Sequence, residues 1–263
     1  MNLGLEGRVA LIAAGSRGLG FASARALARE GASVALFSRT QAAAEAAARK
    51  LADETGVRAL GFAADVTVAA DVSRAVEWTA ARLGRLDVLV TNAGGPPPGT
   101  FRTVDDAAWQ RAFELNLLSA VRLIRAALPH LEQSGRGRII LLSSITVKQP
   151  IDVLILSNSV RIGVAGLSKS LSAELAGARI TVNQVCPGRI ATDRVRELDE
   201  ARARTTGASI EEVRRATEQA IPLARYGDPD EFGAVVAFLA SEQAAYITGA
   251  TIQVDGGATR GVY

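Results

Sequence analysis

The stretch VALIAAGSRGLG, residues 9–20, runs an apolar segment straight into three glycines within six residues. The next residues, FASARALAREG (21–31), have the composition of a helix. Glycines between a strand and a helix let the backbone come close to a ligand. The helix start then offers free N–H groups and the positive end of a dipole, a combination suited to a pyrophosphate. A tight strand-to-helix turn needs glycine for steric reasons as well, so AAGSRGLG (13–20) does not decide the matter alone. The rest of the chain has to repeat the strand–helix alternation.

It does. Six further apolar runs recur: SVALFS (33–38), VRALGFAAD (57–65), LDVLVTN (86–92), RIILLSS (138–144), ITVNQVCP (180–187) and TIQVDGG (251–257). They are rich in β-branched residues and bounded by Gly, Asn, Asp or Pro, as strands buried on both faces are. Helical stretches lie between them. Leu117, Val121, Ile124, Leu128 and Leu131 mark one apolar stripe; Val160, Val164, Leu167, Leu171 and Leu175 mark another. Steady alternation predicts an α/β fold: one Rossmann-type, doubly wound parallel sheet of about seven strands with helices on both faces. No linker interrupts it, and GGPPPG (94–99) reads as a rigid loop, so a single domain over 1–263 is expected. The polar segment 189–227, between two strand candidates, has the length of a substrate lid.

Composition narrows the function classes. The 263 residues are 48% hydrophobic and 22% charged, with a net charge of +3 and arginines scattered among acids. Aromatics are 5%, too few for a stacking platform, and no basic stripe occurs, so nucleic-acid binding is not expected. A single cysteine, Cys186, excludes an internal disulfide, and no apolar run reaches the ~18 residues of a membrane span. A cytoplasmic protein without a metal site is expected. The lone histidine, His130, sits near a helix C-terminus, where dipole stabilisation accounts for it.

The second strand ends in Phe37-Ser38-Arg39-Thr40. An acid at that tip would bind a ribose 2′-hydroxyl; Arg39 is there instead, and Arg17 lies in the glycine loop. Two guanidinium groups near the 2′ position favour a phosphate, hence NADP(H) over NAD(H), which remains admissible.

Motifs in order along the chain resemble the classical short-chain dehydrogenase/reductase family, and within it the members called ketoacyl carrier-protein reductases. The glycine pattern matches at Gly18 and Gly20. Ala13 and Ala14 stand where the family has Thr and its first Gly, with Gly15 next. The resemblance implies a dinucleotide site made of Gly15, Ser16, Arg17, Gly18, Leu19, Gly20, Ser38, Arg39, Asp65, Val66, Asn92, Ala93, Gly94, Arg161, Pro187, Gly188, Ile190 and Thr192. Val254-Asp255-Gly256-Gly257 matches the family's closing strand. It also implies a homotetramer or homodimer, through helices at about 107–133 and 157–176 whose small residues (Ala120, Ala126, Ala165, Gly166) allow close approach.

Family catalysis is attributed to Asn, Ser, Tyr and Lys. Here Asn116 and Ser144 fill the first two positions, but Ser157 and Arg161 stand where Tyr and Lys belong. Four residues apart on a helix, they share a face. A phenol with a reference pKa near 10 can be brought towards neutrality by a cation; an aliphatic hydroxyl cannot. Arg161 can bind ribose hydroxyls and stabilise a developing alkoxide, but it is no proton donor. The expected function is therefore NADP(H)-dependent interconversion of a small carbonyl compound and a secondary alcohol, with a non-standard proton route through a water held by Asn116 and Ser157. Two alternatives stand beside it. One is a dinucleotide-binding protein without turnover. In the other, Tyr263 reaches a neighbouring subunit's site and replaces the phenol. Lys148 is placed to approach substrate, and Cys186 reads as inert packing.

Overall fold

The computed structural model describes residues 2–261. All seven expected strands form one parallel sheet: β1 (Val9–Ile12), β2 (Ser33–Ser38), β3 (Ala59–Ala63), β4 (Val88–Thr91), β5 (Arg138–Leu142), β6 (Thr181–Pro187) and β7 (Thr251–Val254). Their order is β3-β2-β1-β4-β5-β6-β7. Every residue of β1, β4 and β5 is buried, which is why these runs show no polar alternation. Successive side chains of β1 enter opposite cores. Ala10 and Ile12 join Leu27 of α1 (Gly18–Arg29) and Phe232 and Val236 of α9 (Pro229–Ala240). Leu11 and Ala13 join Val76 of α3 (Ala69–Leu83), Leu123 of α5 (Ser119–Ser134) and Val164 of α6 (Ile155–Glu174). The helix α2 (Gln41–Thr55) runs between β2 and β3.

The helix expected at about 107–133 and the interface role given to Ala120 need correction. The helix expected at about 107–133 is interrupted: α4 (Asp106–Phe113) gives way to a π-helical turn at Glu114–Leu118 before α5. The wider turn rotates the pattern. The buried face of α5 is Ala120, Leu123, Ile124, Ala127 and Leu131, while Leu117, Val121 and Leu128 are only half-buried. Leu117 turns towards α6, where a Cβ at Gly163 would lie 2.9 Å from it. Ala120 is consumed by the core and cannot serve a subunit contact. The second helix starts at Ile155, with Leu154 as its N-cap residue, so Ser157 is an interior residue and not a cap. The segment 189–227 contains two helices, α7 (Asp193–Thr206) and α8 (Ile210–Ala220).

Ala14 explains how the glycine loop tolerates its departure from the family pattern. It adopts φ +48°, the left-handed conformation that glycine takes without penalty. Gly15 cannot supply that role by a shift of register: it packs tightly, a Cβ there lying 2.8 Å from Leu36 Cβ. Replacing Ala14 by Gly should therefore relieve strain and stabilise the chain by about 0.5–1 kcal/mol. Thermal unfolding checks this; a lower Tm for the glycine variant would contradict it.

Candidate active site at the carboxyl ends of the strands

The chain runs outward from β1 to β2 and β3, then returns to β4 and continues the other way, so a crevice opens where β1 and β4 lie side by side. The loops after both strands meet there. Asn92, just past β4, donates its amide to the Ala14 carbonyl at 3.3 Å. A Cβ at Gly20 would lie 2.5 Å from that same carbonyl oxygen and 2.8 Å from the Asn92 amide nitrogen. Only hydrogen fits at position 20. Gly18 has φ +56° and begins α1. No side chain caps that helix, and its first turn holds no acid, so its leading N–H groups are left for an anion. Arg17 and Arg39 are exposed, with no ion pair among the described residues, and the Ser38 hydroxyl donates to the Thr40 carbonyl at 3.1 Å. Asp65 is held by the Thr67 amide (2.8 Å) and hydroxyl (2.7 Å), with Val66 buried beside it. Ser16, Leu19, Ala93 and Gly94 complete the rim of the two loops. A bare glycine cradle, an uncapped helix start and two free guanidinium groups together fit a phosphorylated dinucleotide.

The other wall comes from the end of β6. Gly188 lies against Asp255, where a Cβ would meet Asp255 Cβ at 2.6 Å. Ile190 is buried and bridges to Gly227. Thr192 precedes α7 across from Gly18, its Cγ2 lying 3.9 Å from a Cβ placed there.

The chemical half gathers behind this crevice. Ser144 follows β5 and accepts a hydrogen bond from the Thr146 amide at 3.2 Å, capping a short 3-10 turn at Ile145–Val147. The Thr146 and Ser157 hydroxyls, both buried, are 3.2 Å apart. Asn116 sits in the π-helical turn, a feature frequent at functional sites. Its amide nitrogen donates to Gly94 O at 2.9 Å, and its Oδ1 is buried without a partner. Asn116 and Arg161 line one small cavity of about 10 Å³, with Asn92 and Ser119, room for about one water molecule. Arg161 is 8% exposed and has neither an acid nor a hydrogen-bond acceptor among the described residues. Burial pushes its guanidinium down to about 10; Cys186 opposes that shift and Arg194 adds to it.

Two residues are invisible in the sequence. Thr146 lies in an ordinary-looking apolar triplet and emerges only when the 3-10 turn folds it onto Ser157. Arg194, in the first turn of α7, donates to the Pro96 carbonyl at 3.2 Å, tying 189–227 to the loop 94–99. Other candidates stay out of the site. Tyr226 donates its hydroxyl to Asp199 at 2.8 Å, Tyr246 is fully exposed, and Tyr263 lies outside the described residues. His130 pairs with Glu77 at 3.1 Å. The Cys186 thiol is pushed up to about 12, mainly by burial, which leaves it unreactive. A larger cleft, of about 560 Å³, opens between α1 and α7–α8 and reaches Gly18 and Thr192, but none of Asn116, Ser144, Ser157 or Arg161 lines it.

A crevice of this kind at the switch point of a doubly wound sheet defines a Rossmann-type dinucleotide-dependent oxidoreductase. The family described as enoyl-(acyl carrier protein) reductase matches residues 13–259. A ketoacyl reductase of the monensin polyketide synthase type from Streptomyces virginiae, so far assigned provisionally, is 36% identical over 95% of this chain and 96% of its own. The 3-oxoacyl-(acyl carrier protein) reductase of Escherichia coli (strain K12) is 34% identical over 97% of this chain and 98% of its own. Among solved structures, L-sorbose reductase from Gluconobacter frateurii, complexed with NADPH and L-sorbose, superposes with a TM-score of 0.95 at 33% identity, each chain covered completely. Actinorhodin polyketide ketoreductase with NADPH gives 0.92 at 32% identity, covering 96% of this chain and 97% of its own. The chain belongs to the short-chain dehydrogenase/reductase family and is an NAD(P)-dependent oxidoreductase of that family.

The unpartnered Arg161 has a thermodynamic signature. Its folded-state pKa, about 10, lies below the ordinary arginine value, so the folded protein holds this proton less tightly than the unfolded chain. The buried charge costs stability at every pH below about 10, and the cost is relieved only as the pH rises above that towards the ordinary arginine range. Arg161→Met, which keeps the long apolar stem, should stabilise the protein at neutral pH by roughly 1–3 kcal/mol. Denaturant unfolding measures it; a loss of stability would mean that the guanidinium has a protein partner after all.

Proposed function

We propose that the protein is an NADP(H)-dependent carbonyl reductase or alcohol dehydrogenase in which Ser157 and Arg161 stand in place of the family's Tyr and Lys. The observation that carries this is a pair of buried hydroxyls: Thr146, whose amide donates to Ser144, and Ser157, which lies on the same helix as the unpartnered Arg161 guanidinium. NADPH bound to the solved relatives supports the same cofactor here, as do Arg17 and Arg39 at the place of a 2′-phosphate. The residues from Gly15 to Gly20, with Ser38, Arg39, Asp65, Val66, Asn92, Ala93, Gly94, Arg161, Pro187, Gly188, Ile190 and Thr192, hold it. When bound, the reduced nicotinamide supplies a hydride to the carbonyl carbon.

The remaining steps belong to the chain. Ser144 and Ser157 direct their hydroxyls at the carbonyl oxygen and fix its position. Arg161 stabilises the negative charge that grows on that oxygen, its effect strengthened by burial. Neither group is a strong acid, so the alkoxide takes its proton from the Ser157 hydroxyl, which is reprotonated from solvent water, the hydroxide so formed leaving to bulk solvent; the cavity lined by Asn116 and Arg161 has room for one such water. Chain 189–227 acts as a lid, fixed by Arg194 to the Pro96 carbonyl and by Asp199 to Tyr226 and Arg189.

Loss of a positioned general acid typically slows catalysis by about 10²–10⁴-fold. The double variant Ser157→Tyr with Arg161→Lys should recover part of that, raising kcat for NADPH-dependent ketone reduction at least tenfold. Equal or lower turnover across a panel of ketones, with NADPH binding retained, would contradict the reading and favour a cofactor-binding protein without turnover. Arg39→Asp should reverse the nucleotide preference, weakening NADPH at least tenfold, one charge-assisted hydrogen bond's worth. Calorimetric Kd values for NADPH and NADH check that; an unchanged ratio would remove Arg39 from the site.

A further inference from the structure

The reaction site holds more positive charge than hydride transfer needs. Arg161 on α6 is buried and has no acid opposite it among the described residues. One helical turn earlier on the same helix, Ser157 presents a short side chain where the family carries a ring. Lys148 comes directly after the 3-10 turn that Ser144 caps and forms no ion pair among the described residues. From the opposite side, Arg194 reaches over the loop 94–99 and donates to the Pro96 carbonyl.

Of these cations, Arg194 has an acid within reach, Glu197, and Arg161 and Lys148 have none among the described residues. Asp255 spends both carboxylate oxygens on backbone amides, those of Gly257 and Thr259, at 2.9 Å each. Glu197, one turn further along α7, pairs with Arg194 at 3.6 Å, both side chains about half exposed, so this pair is screened by water and can open to a ligand. Arg194 and Arg161 flank the same loop: a Cβ at Gly95 would lie 3.5 Å from Arg194, and Asn116, which shares a cavity with Arg161, donates to the Gly94 carbonyl. In the usual family site, a phenol beside the cation can ionise and neutralise it. Here no phenol is present among the residues that build the site. A buried cation without a counter-charge is costly, and an anion entering from outside removes that cost.

We propose that the substrate carries its own acid group: a carbonyl compound with a carboxylate, seated between Arg194 of the lid segment and Arg161 of α6, with its carbonyl oxygen at the Ser144 and Ser157 hydroxyls. This rests on the reductase reading above and names the substrate class for that same site. Guanidinium groups recognise carboxylates with paired hydrogen bonds, so two of them converging favour an oxo acid over its neutral ester. Arg194 is the specificity-determining residue, because it arrives with the lid and can exchange Pro96 for the substrate.

The test compares oxo acids of three to eight carbons with their methyl esters, each with NADPH. The acids should give kcat/KM values at least tenfold above their esters. In Arg194→Gln the acid-to-ester ratio should fall towards one, and in Arg194→Lys it should be partly kept. Esters equal to or better than acids in the native protein would overturn the proposal. So would a preference that survives Arg194→Gln, or a variant whose only defect is a weaker NADPH Kd, which would assign Arg194 to the cofactor. If neither acids nor esters turn over, the reductase reading fails separately. Calorimetry of the same acids and esters against the protein–NADPH complex then decides the charge preference: tighter binding of acids supports it, and equal binding overturns it.

Discussion

At position 20 there is room for a hydrogen atom and nothing larger. The Ala14 carbonyl and the Asn92 amide occupy the space where a Cβ would go, at 2.5 and 2.8 Å. This close approach brings the start of α1, the end of β1 and the end of β4 to one point, with three consequences. The uncapped helix start faces the crevice, Ala14 is driven into a left-handed conformation, and Asn92 bridges the two halves of the sheet. The loops that bring in Ser144, Pro187 and Thr192 are arranged around that point because all seven strands run the same way.

Against this fixed frame the chemistry has been redistributed. A phenol and an ammonium would join proton donation and charge stabilisation in one pair. In the proposed mechanism Ser157 and Arg161 separate those tasks. The guanidinium keeps its charge at any ordinary pH, so it can stabilise an oxyanion but not feed it a proton. The hydroxyls can orient and relay but not donate strongly. The π-helical turn contributes through Asn116, whose unpaired Oδ1 looks into the same small cavity as Arg161. A buried acceptor without a partner, lining with Arg161 a space for about one water, is the observation on which the proposed solvent-fed proton route rests.

The fold is legible in the sequence because its signals are local. Buried parallel strands read as continuous apolar runs; the two edge strands, β3 and β7, are only half-buried throughout, against the expectation of burial on both faces, yet keep enough apolar residues to be read as strands. The dinucleotide cradle is legible for a related reason: its glycines are forced by backbone geometry within a few residues. The π-helical turn is not, since one extra residue in a helix leaves no mark on composition and only a slip in the apolar stripe, seen in Leu117 turning to α6. Thr146 and Arg194 stay hidden because their roles depend on contacts 11 and 98 residues away in sequence. Serine is also a favoured helix cap, and only the helix start at Ile155, two residues before it, shows that Ser157 is not one. Ala120 reads as an interface residue because small residues suit both a core and an interface, and only its burial assigns it to the core.

Calorimetric titration of the unaltered protein with NADPH tests the central claim most directly, that the crevice at β1 and β4 seats a phosphorylated dinucleotide. The account predicts saturable binding at one site per chain, at least tenfold tighter than NADH. Heat that does not saturate, or equal affinity for the two nucleotides, would contradict it.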